Sequence, residues 1–272
     1  MAKVKYILFD CDNTLVQSES RAFEACSDLV NEVIAKYKPN PTTSLQPNAR
    51  PIPDEPLTPA ILHERYLGKN FRNMLVSLRQ EYGLTPSDSD IDAYVDLEVA
   101  RVIEKLNKRC EPCPCVEAAL TWARTQGYPM AVVSTSAKPR VLASLEKAGL
   151  MPFFDEEHVF SAATSLTPPS SKPDPAIYDH ACKQLGVRPE ECVAVEDSNS
   201  GATAAKRAGN GRGIPLIGYV GIYQAEAGDE VEKGRIKMEE MGEGLVEGSG
   251  NAVVMEDWSS FQVCLAEIES RM

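Results

Sequence analysis

The sequence predicts an α/β fold: a parallel sheet with helices on both faces and an all-helical unit inserted after the first strand. Three observations predict it. The chain opens on an apolar run, Tyr6-Ile7-Leu8-Phe9, that stops at Asp10 and Asp12. A continuous apolar run bounded by polar residues is the pattern of a strand buried on both faces, as in a parallel sheet. Beyond residue 110, apolar runs alternate with helical patterns, the order that builds such a sheet. Between residues 17 and 109 there is helical spacing and no strand pattern.

Taken in order, the first strand covers residues 6–9. Ser18 and Glu19 are the helix-capping pair that follows. Phe23, Cys26, Val30, Val33, Ile34 and Tyr37 then recur at helical spacing. Residues 38–59 hold Pro39, Pro41, Pro47, Pro51, Pro53, Pro56 and Pro59. Proline fixes φ and restricts the residue before it, so this stretch is expected as a long loop or flap. Helical spacing resumes over 58–108, with breaks at Gly68 and over 83–89. Helices are expected over 116–126, 138–148 and 201–208, each stopped by glycine, and Ser171-Lys172-Pro173-Asp174-Pro175 opens another, with Pro175 near its first turn. Strands are expected over 128–133, 192–195, 214–220 and 252–254, with a short one at Val159-Phe160. Residues 225–250, rich in Glu and Gly, read as a solvated loop with a short helix.

The chain carries 28 basic and 40 acidic residues, a net charge of −12. That argues against nucleic acid or an anionic membrane as the main partner. No apolar run approaches the ~18 residues of a transmembrane helix. Met1-Ala2-Lys3-Val4-Lys5 leads directly into the first strand, so no signal peptide is expected. Eight cysteines are spread along the chain without a disulfide-like framework, which suits a reducing, cytoplasmic compartment. Cys110, Cys113 and Cys115 cluster, but His63, His158 and His180 are scattered, and a zinc site needs four ligands.

Three strands therefore end in polar residues: Asp10 and Asp12, Ser134, and Glu196 with Asp197. Lys172 stands between the last two. Each alone has a plain reading, as a helix cap or a solvated charge. Together they are the types one reaction needs. Carboxylates and a carbonyl hold Mg²⁺, which prefers oxygen. A hydroxyl and an ammonium hold phosphate oxygens. One carboxylate remains as nucleophile.

With these residues the chain resembles the haloacid dehalogenase (HAD) superfamily of phosphohydrolases, in its capped, β-phosphoglucomutase-like subgroup. The first motif there, DxDGT, is matched by Asp10-Cys11-Asp12-Asn13-Thr14. The second, a strand-end serine or threonine, is matched by Ser134. The third, KPxP, is matched by Lys172-Pro173-Asp174-Pro175, and the fourth, an acidic pair after a strand, by Val195-Glu196-Asp197-Ser198. The resemblance implies a Rossmann-like core of residues 1–16 and 110–272 and a helical cap of residues 17–109.

It further implies that Asp10 attacks phosphorus and that Asp12 protonates the leaving oxygen and then activates water. That role calls for a raised pKa at Asp12. Ser134 and Lys172 would bind the phosphoryl group. Mg²⁺ would be held by Asp10, the Asp12 carbonyl and Asp197, with Glu196 as ligand or just behind. Lys69, Asn70 and Arg72, in the cap's Gly-containing loop, are the candidates for substrate selection. The expected partner is a small phosphorylated metabolite, such as a sugar or polyol phosphate, acted on by a monomer.

There are departures from the family pattern. Asn13 replaces glycine, at a turn that needs φ > 0, which Asn tolerates. Cys115 also stands where many relatives have glycine. Ala22 stands where hexose-phosphate mutases of the subgroup have a hinge histidine, which weighs a phosphomutase below a phosphatase. A binding module with a dead site is the remaining alternative, and the full set of four motifs argues against it.

Overall fold

The computed structural model describes residues 4–38, 49–66, 70–227, 231–248 and 250–272. Two compact units result, Met1–Ser18 with Cys110–Met272, and Glu19–Arg109.

The first unit is built on β1 (Tyr6–Phe9), β2 (Met130–Ser134), β3 (Val159–Ser161), β4 (Cys192–Glu196), β5 (Leu216–Tyr219) and β6 (Ala252–Met255). Every pairing is parallel, in the order β3-β2-β1-β4-β5-β6. The two-sided burial expected of apolar runs is realised in β1, where Ile7, Leu8 and Phe9 have no exposed surface. On one face Leu8, Ala131, Val133 and Ala194 pack with Ile177, Tyr178 and the alanines 202, 204 and 205. On the other, Phe9 meets Phe154, Trp258 and Phe261. Each such fully buried side chain stabilises the unit by roughly 1.5–3 kcal/mol.

Its helices are α5 (Val116–Thr125), α6 (Lys138–Lys147), α7 (Ala176–Leu185), α8 (Asn199–Gly211), α9 (Gly221–Ala227), α10 (Val231–Val246) and α11 (Phe261–Arg271), numbered after the four of the second unit. The short helix expected within a solvated loop over 225–250 is the sixteen-residue α10, which takes up most of that stretch. Its glycines are a packing device: a Cβ on Gly242 would lie 3.3 Å from a Val254 methyl, and one on Gly244 would lie 2.8 Å from the Asn199 carboxamide. Composition there reflects close approach to the sheet and α8, which overrides the low helix propensity of glycine. Lys172 does not open α7 but precedes it by four residues, with Pro175 at the cap.

The second unit is helical throughout its regular structure: α1 (Glu19–Tyr37), α2 (Pro59–Tyr66), α3 (Phe71–Tyr82) and α4 (Asp88–Lys108). Its core joins Leu29, Val30 and Val33 of α1 to Leu62, Met74, Leu75 and Leu78. Gly83 ends α3 at φ 63°, the left-handed cap that glycine adopts at least cost. Of the proline-rich segment, residues 39–48 lie outside the described residues. The remainder is irregular and tied down at Leu57, whose N–H donates to Asn31 Oδ1 at 2.9 Å.

Candidate active site

The three strands that end in polar residues are neighbours, with β1 between β2 and β4. Phe9 is in register with Val132 on one side and Val195 on the other. The Asp10 N–H continues the ladder, donating to the Val195 carbonyl at 2.9 Å. Asp10 thus stands level with Glu196 at the carboxyl edge, the edge where parallel sheets bind ligands.

Lys172 reaches this edge from the loop before α7. Its ammonium lies 2.5 Å from Asp10 Oδ1, 2.6 Å from Glu196 Oε1 and 2.8 Å from the Val133 carbonyl. Burial opposes its charge, but Asp10 and Glu196 outweigh that and hold it above the usual lysine range. Burial pushes the Asp10 carboxyl up to about 8, with Glu196 and Asp12 adding to the rise and Lys172 opposing it. Oxygens of Asp10, Glu196 and Asp197 lie within 4.8 Å of one another, all three residues being buried. Three carboxyl groups thus face one ammonium, and the excess negative charge they carry when all are ionised is what a single divalent cation would neutralise.

Glu196 is the most enclosed of the three. The Tyr178 hydroxyl donates to its Oε1. Its Oε2 is buried without a hydrogen-bond partner among the described residues. An orphaned buried carboxylate oxygen is costly, and here it belongs to an all-oxygen donor set suited to a hard cation. The residues therefore fit Mg²⁺. A Cβ on Gly201 would sit 1.8 Å from Glu196 Oε2, so the carboxylate occupies the space that glycine leaves. Asp197 is held by Thr14, whose hydroxyl donates to Oδ1 at 3.1 Å.

Asp12 has a different environment. Ser136 Oγ donates to its Oδ2 at 2.6 Å, Arg140 Nη2 to its Oδ1 at 3.0 Å, and the Ser18 hydroxyl also donates to Oδ1. The expectation of a raised pKa is corrected here. Burial does push the carboxyl up, but the Arg140 charge and these hydrogen bonds outweigh it and hold Asp12 below the usual carboxylate range. Ser18, read as a helix cap, spends its hydroxyl on Asp12 instead.

Asn13 has φ 60° and Cys115 φ 65°. Both positions where relatives have glycine keep the left-handed backbone. Ser134, buried at the end of β2, accepts the Ser136 N–H through Oγ at 3.0 Å.

Among the cap-loop candidates, Asn70 accepts the Asn73 N–H at 2.9 Å and so caps α3, and Arg72 is ion-paired with Asp92. Both belong to the helical unit, and Lys69 lies outside the described residues. Gly201 had a signal in the sequence: glycine in a first helical turn marks a close approach. Tyr178 and Arg140 had none, because they reach the carboxylates from helices whose docking is tertiary.

The family described as "Hydrolase: haloacid dehalogenase-like hydrolase" matches residues 4–209. A 6-phosphogluconate phosphatase of Escherichia coli is 26% identical over 212 residues, which is 77% of this chain and 81% of that protein. A phosphorylated carbohydrates phosphatase of Thermotoga maritima is 29% identical over 203 residues, 75% of this chain and 81% of that protein. Among solved structures, a haloacid dehalogenase-like protein of unknown function from Agrobacterium tumefaciens superposes with a TM-score of 0.66 at 24% identity, covering 97% of this chain and 98% of that one.

Proposed function

Because the chain belongs to the haloacid dehalogenase-like hydrolase family, we propose that it is a Mg²⁺-dependent phosphatase of a small sugar or polyol phosphate, working through an aspartyl phosphate on Asp10. The observation that carries this reading is the set of buried oxygens of Asp10, Glu196 and Asp197, with the Lys172 ammonium on the first two and Glu196 Oε2 lacking a partner among the described residues. The names of the relatives support the sugar-phosphate class.

In this reading a carboxylate oxygen of Asp10 attacks phosphorus and the bond to the leaving oxygen breaks. Water then attacks the same phosphorus, Asp12 takes its proton, and the bond to Asp10 breaks to release phosphate. Lys172 and Ser134 hold the equatorial oxygens, so that little reorganisation is needed as charge shifts. Mg²⁺, held by Asp10, Asp197 and the Asp12 carbonyl with Glu196 adjoining, would neutralise the phosphoryl charge. The contacts around Asp12 favour its ionised form, which suits the water-activating step. Protonating the leaving oxygen requires that Asp12 first give up the Arg140 contact and take a proton. Eight cysteines spread along the chain without a disulfide-like framework support a reducing, cytoplasmic setting. Ala22, where mutases have histidine, supports hydrolysis over phosphoryl return.

The test is turnover of p-nitrophenyl phosphate. EDTA is expected to silence the enzyme and Mg²⁺ to restore it. Asp10→Asn is expected to abolish turnover while leaving the fold intact, since it is nearly isosteric. Activity of this variant within a few-fold of wild type would remove Asp10 from the mechanism.

A further inference from the structure

Behind the acidic pair that ends β4 stands the α9–α10 hairpin, which joins β5 to β6 and which the family match, ending at residue 209, does not cover. We propose that this hairpin is a strut that sets the affinity of the site for its divalent cation, and that Tyr223 is the positioning residue for Asp197. The proposal rests on the Mg²⁺ reading above.

The Tyr223 hydroxyl donates to the Asp197 backbone carbonyl at 2.9 Å. With Thr14 donating to Asp197 Oδ1 at 3.1 Å, this residue is held at both main chain and side chain. The hairpin meets the same turn again from α10. A Cβ on Gly244 would lie 2.8 Å from Asn199 Oδ1 and 3.2 Å from Asn199 Nδ2. Asn199 begins α8, two residues beyond Asp197, and the turn between them is capped by Ser198, which accepts the Gly201 N–H at 3.1 Å.

A third contact lies one strand away. The β5 partner of Glu196 is Gly218, and a Cβ there would lie 3.0 Å from Leu245 of α10, so Leu245 fills the place of the missing side chain. Turn 196–199 is thus met by Tyr223 and Gly244, and the strand beside Glu196 by Leu245, all from one hairpin. Mg²⁺ demands near-ideal octahedral geometry with oxygens at about 2.0–2.1 Å and tolerates misplaced ligands poorly. Groups that orient such ligands typically carry about ten- to a hundred-fold in metal affinity.

The experiment is calorimetric titration of the full chain with MgCl₂, for wild type, Asp197→Asn, Tyr223→Phe and Gly244→Ala, with melting temperatures measured alongside. Tyr223→Phe keeps the ring and removes only the donor. It is expected to bind Mg²⁺ roughly tenfold or more weakly, and saturating Mg²⁺ is expected to recover turnover. Gly244→Ala, which crowds Asn199, is expected to weaken binding as well and serves if Tyr223→Phe does not fold. Wild-type affinity in both variants overturns the strut, and a lowered melting temperature with unchanged affinity does the same. If wild type binds no Mg²⁺, or Asp197→Asn binds as wild type does, the metal reading itself falls and the strut with it.

Discussion

Gly201 shows how much one missing methyl group can decide. Its first helical turn lies against the Glu196 carboxylate, and a Cβ would sit 1.8 Å from Oε2. Glu196 has no slack, being fully buried and engaged by Lys172 and Tyr178. Gly201→Ala is therefore expected to displace the carboxylate, destabilise the protein by about 1–3 kcal/mol as overpacking does, and lower phosphatase turnover. Thermal denaturation and p-nitrophenyl phosphate kinetics check this, and an unchanged melting temperature would show that the turn yields freely. Asn13 is the opposite case at the same scale. Its place where the family pattern has glycine implied a positive φ, and the turn, being local, adopts it. The lowered pKa of Asp12 was not legible, because the Arg140 that lowers it is 128 residues away in the chain.

At the scale of elements, helix ends in the second unit obey local rules. Ser87 Oγ accepts the Asp90 N–H at 3.1 Å, and the Asp90 carboxylate accepts the Ser87 N–H at 2.9 Å, closing a capping box at the start of α4. The Ser87 hydroxyl, then its N–H, hold the Asp90 carboxyl down at about 2, against about 3.9 in an unfolded chain. A depressed folded value stabilises above the unfolded pKa, and that contribution is lost as pH falls through the folded one. Ser87→Ala is expected to melt a few degrees below wild type near neutral pH. The gap between the two should narrow as pH falls from about 4 to about 2. A gap constant across that window would mean that the carboxylate adds nothing to the cap. α10 is where local rules mislead: its glycines read as loop, yet they are what lets the helix approach Asn199 and Val254.

At the scale of the whole molecule, the buried carboxylates and the ammonium all belong to the α/β unit, while Asn70 and Arg72 belong to the helical one. We propose a division of labour: the first unit does the chemistry and the second chooses the substrate. Arg72→Ala is then expected to lower kcat/KM for a sugar phosphate roughly ten- to a hundred-fold, the value of a charge-assisted hydrogen bond of about 1.5–3 kcal/mol. Turnover of p-nitrophenyl phosphate, whose leaving group departs easily, is expected to stay near wild type. The lost Arg72–Asp92 pair is exposed and contributes little to stability. Equal losses on both substrates, or none on either, would remove Arg72 from substrate selection.

Local pattern along the chain accounts for one part of this molecule. Apolar runs specified strands buried on both faces. Helical spacing specified the inserted unit. Asp10, Asp12, Ser134, Glu196 and Asp197 stood out as candidates because each sits at or just beyond a strand's end, where chain order and chemistry coincide, whereas Lys172 stood out through its Lys-Pro-Asp-Pro motif. Tertiary structure alone decided the strand order β2-β1-β4 that sets these ends side by side, the lowering of the Asp12 pKa by Arg140 and its hydrogen bonds, and the backing of Asp197 by Tyr223. The physical reason is the range of the interactions. Burial periodicity and turn conformation act over a few residues, whereas a carboxylate's pKa and a metal ligand's orientation are set by charges and donors within a few ångströms in space, whatever their separation along the chain.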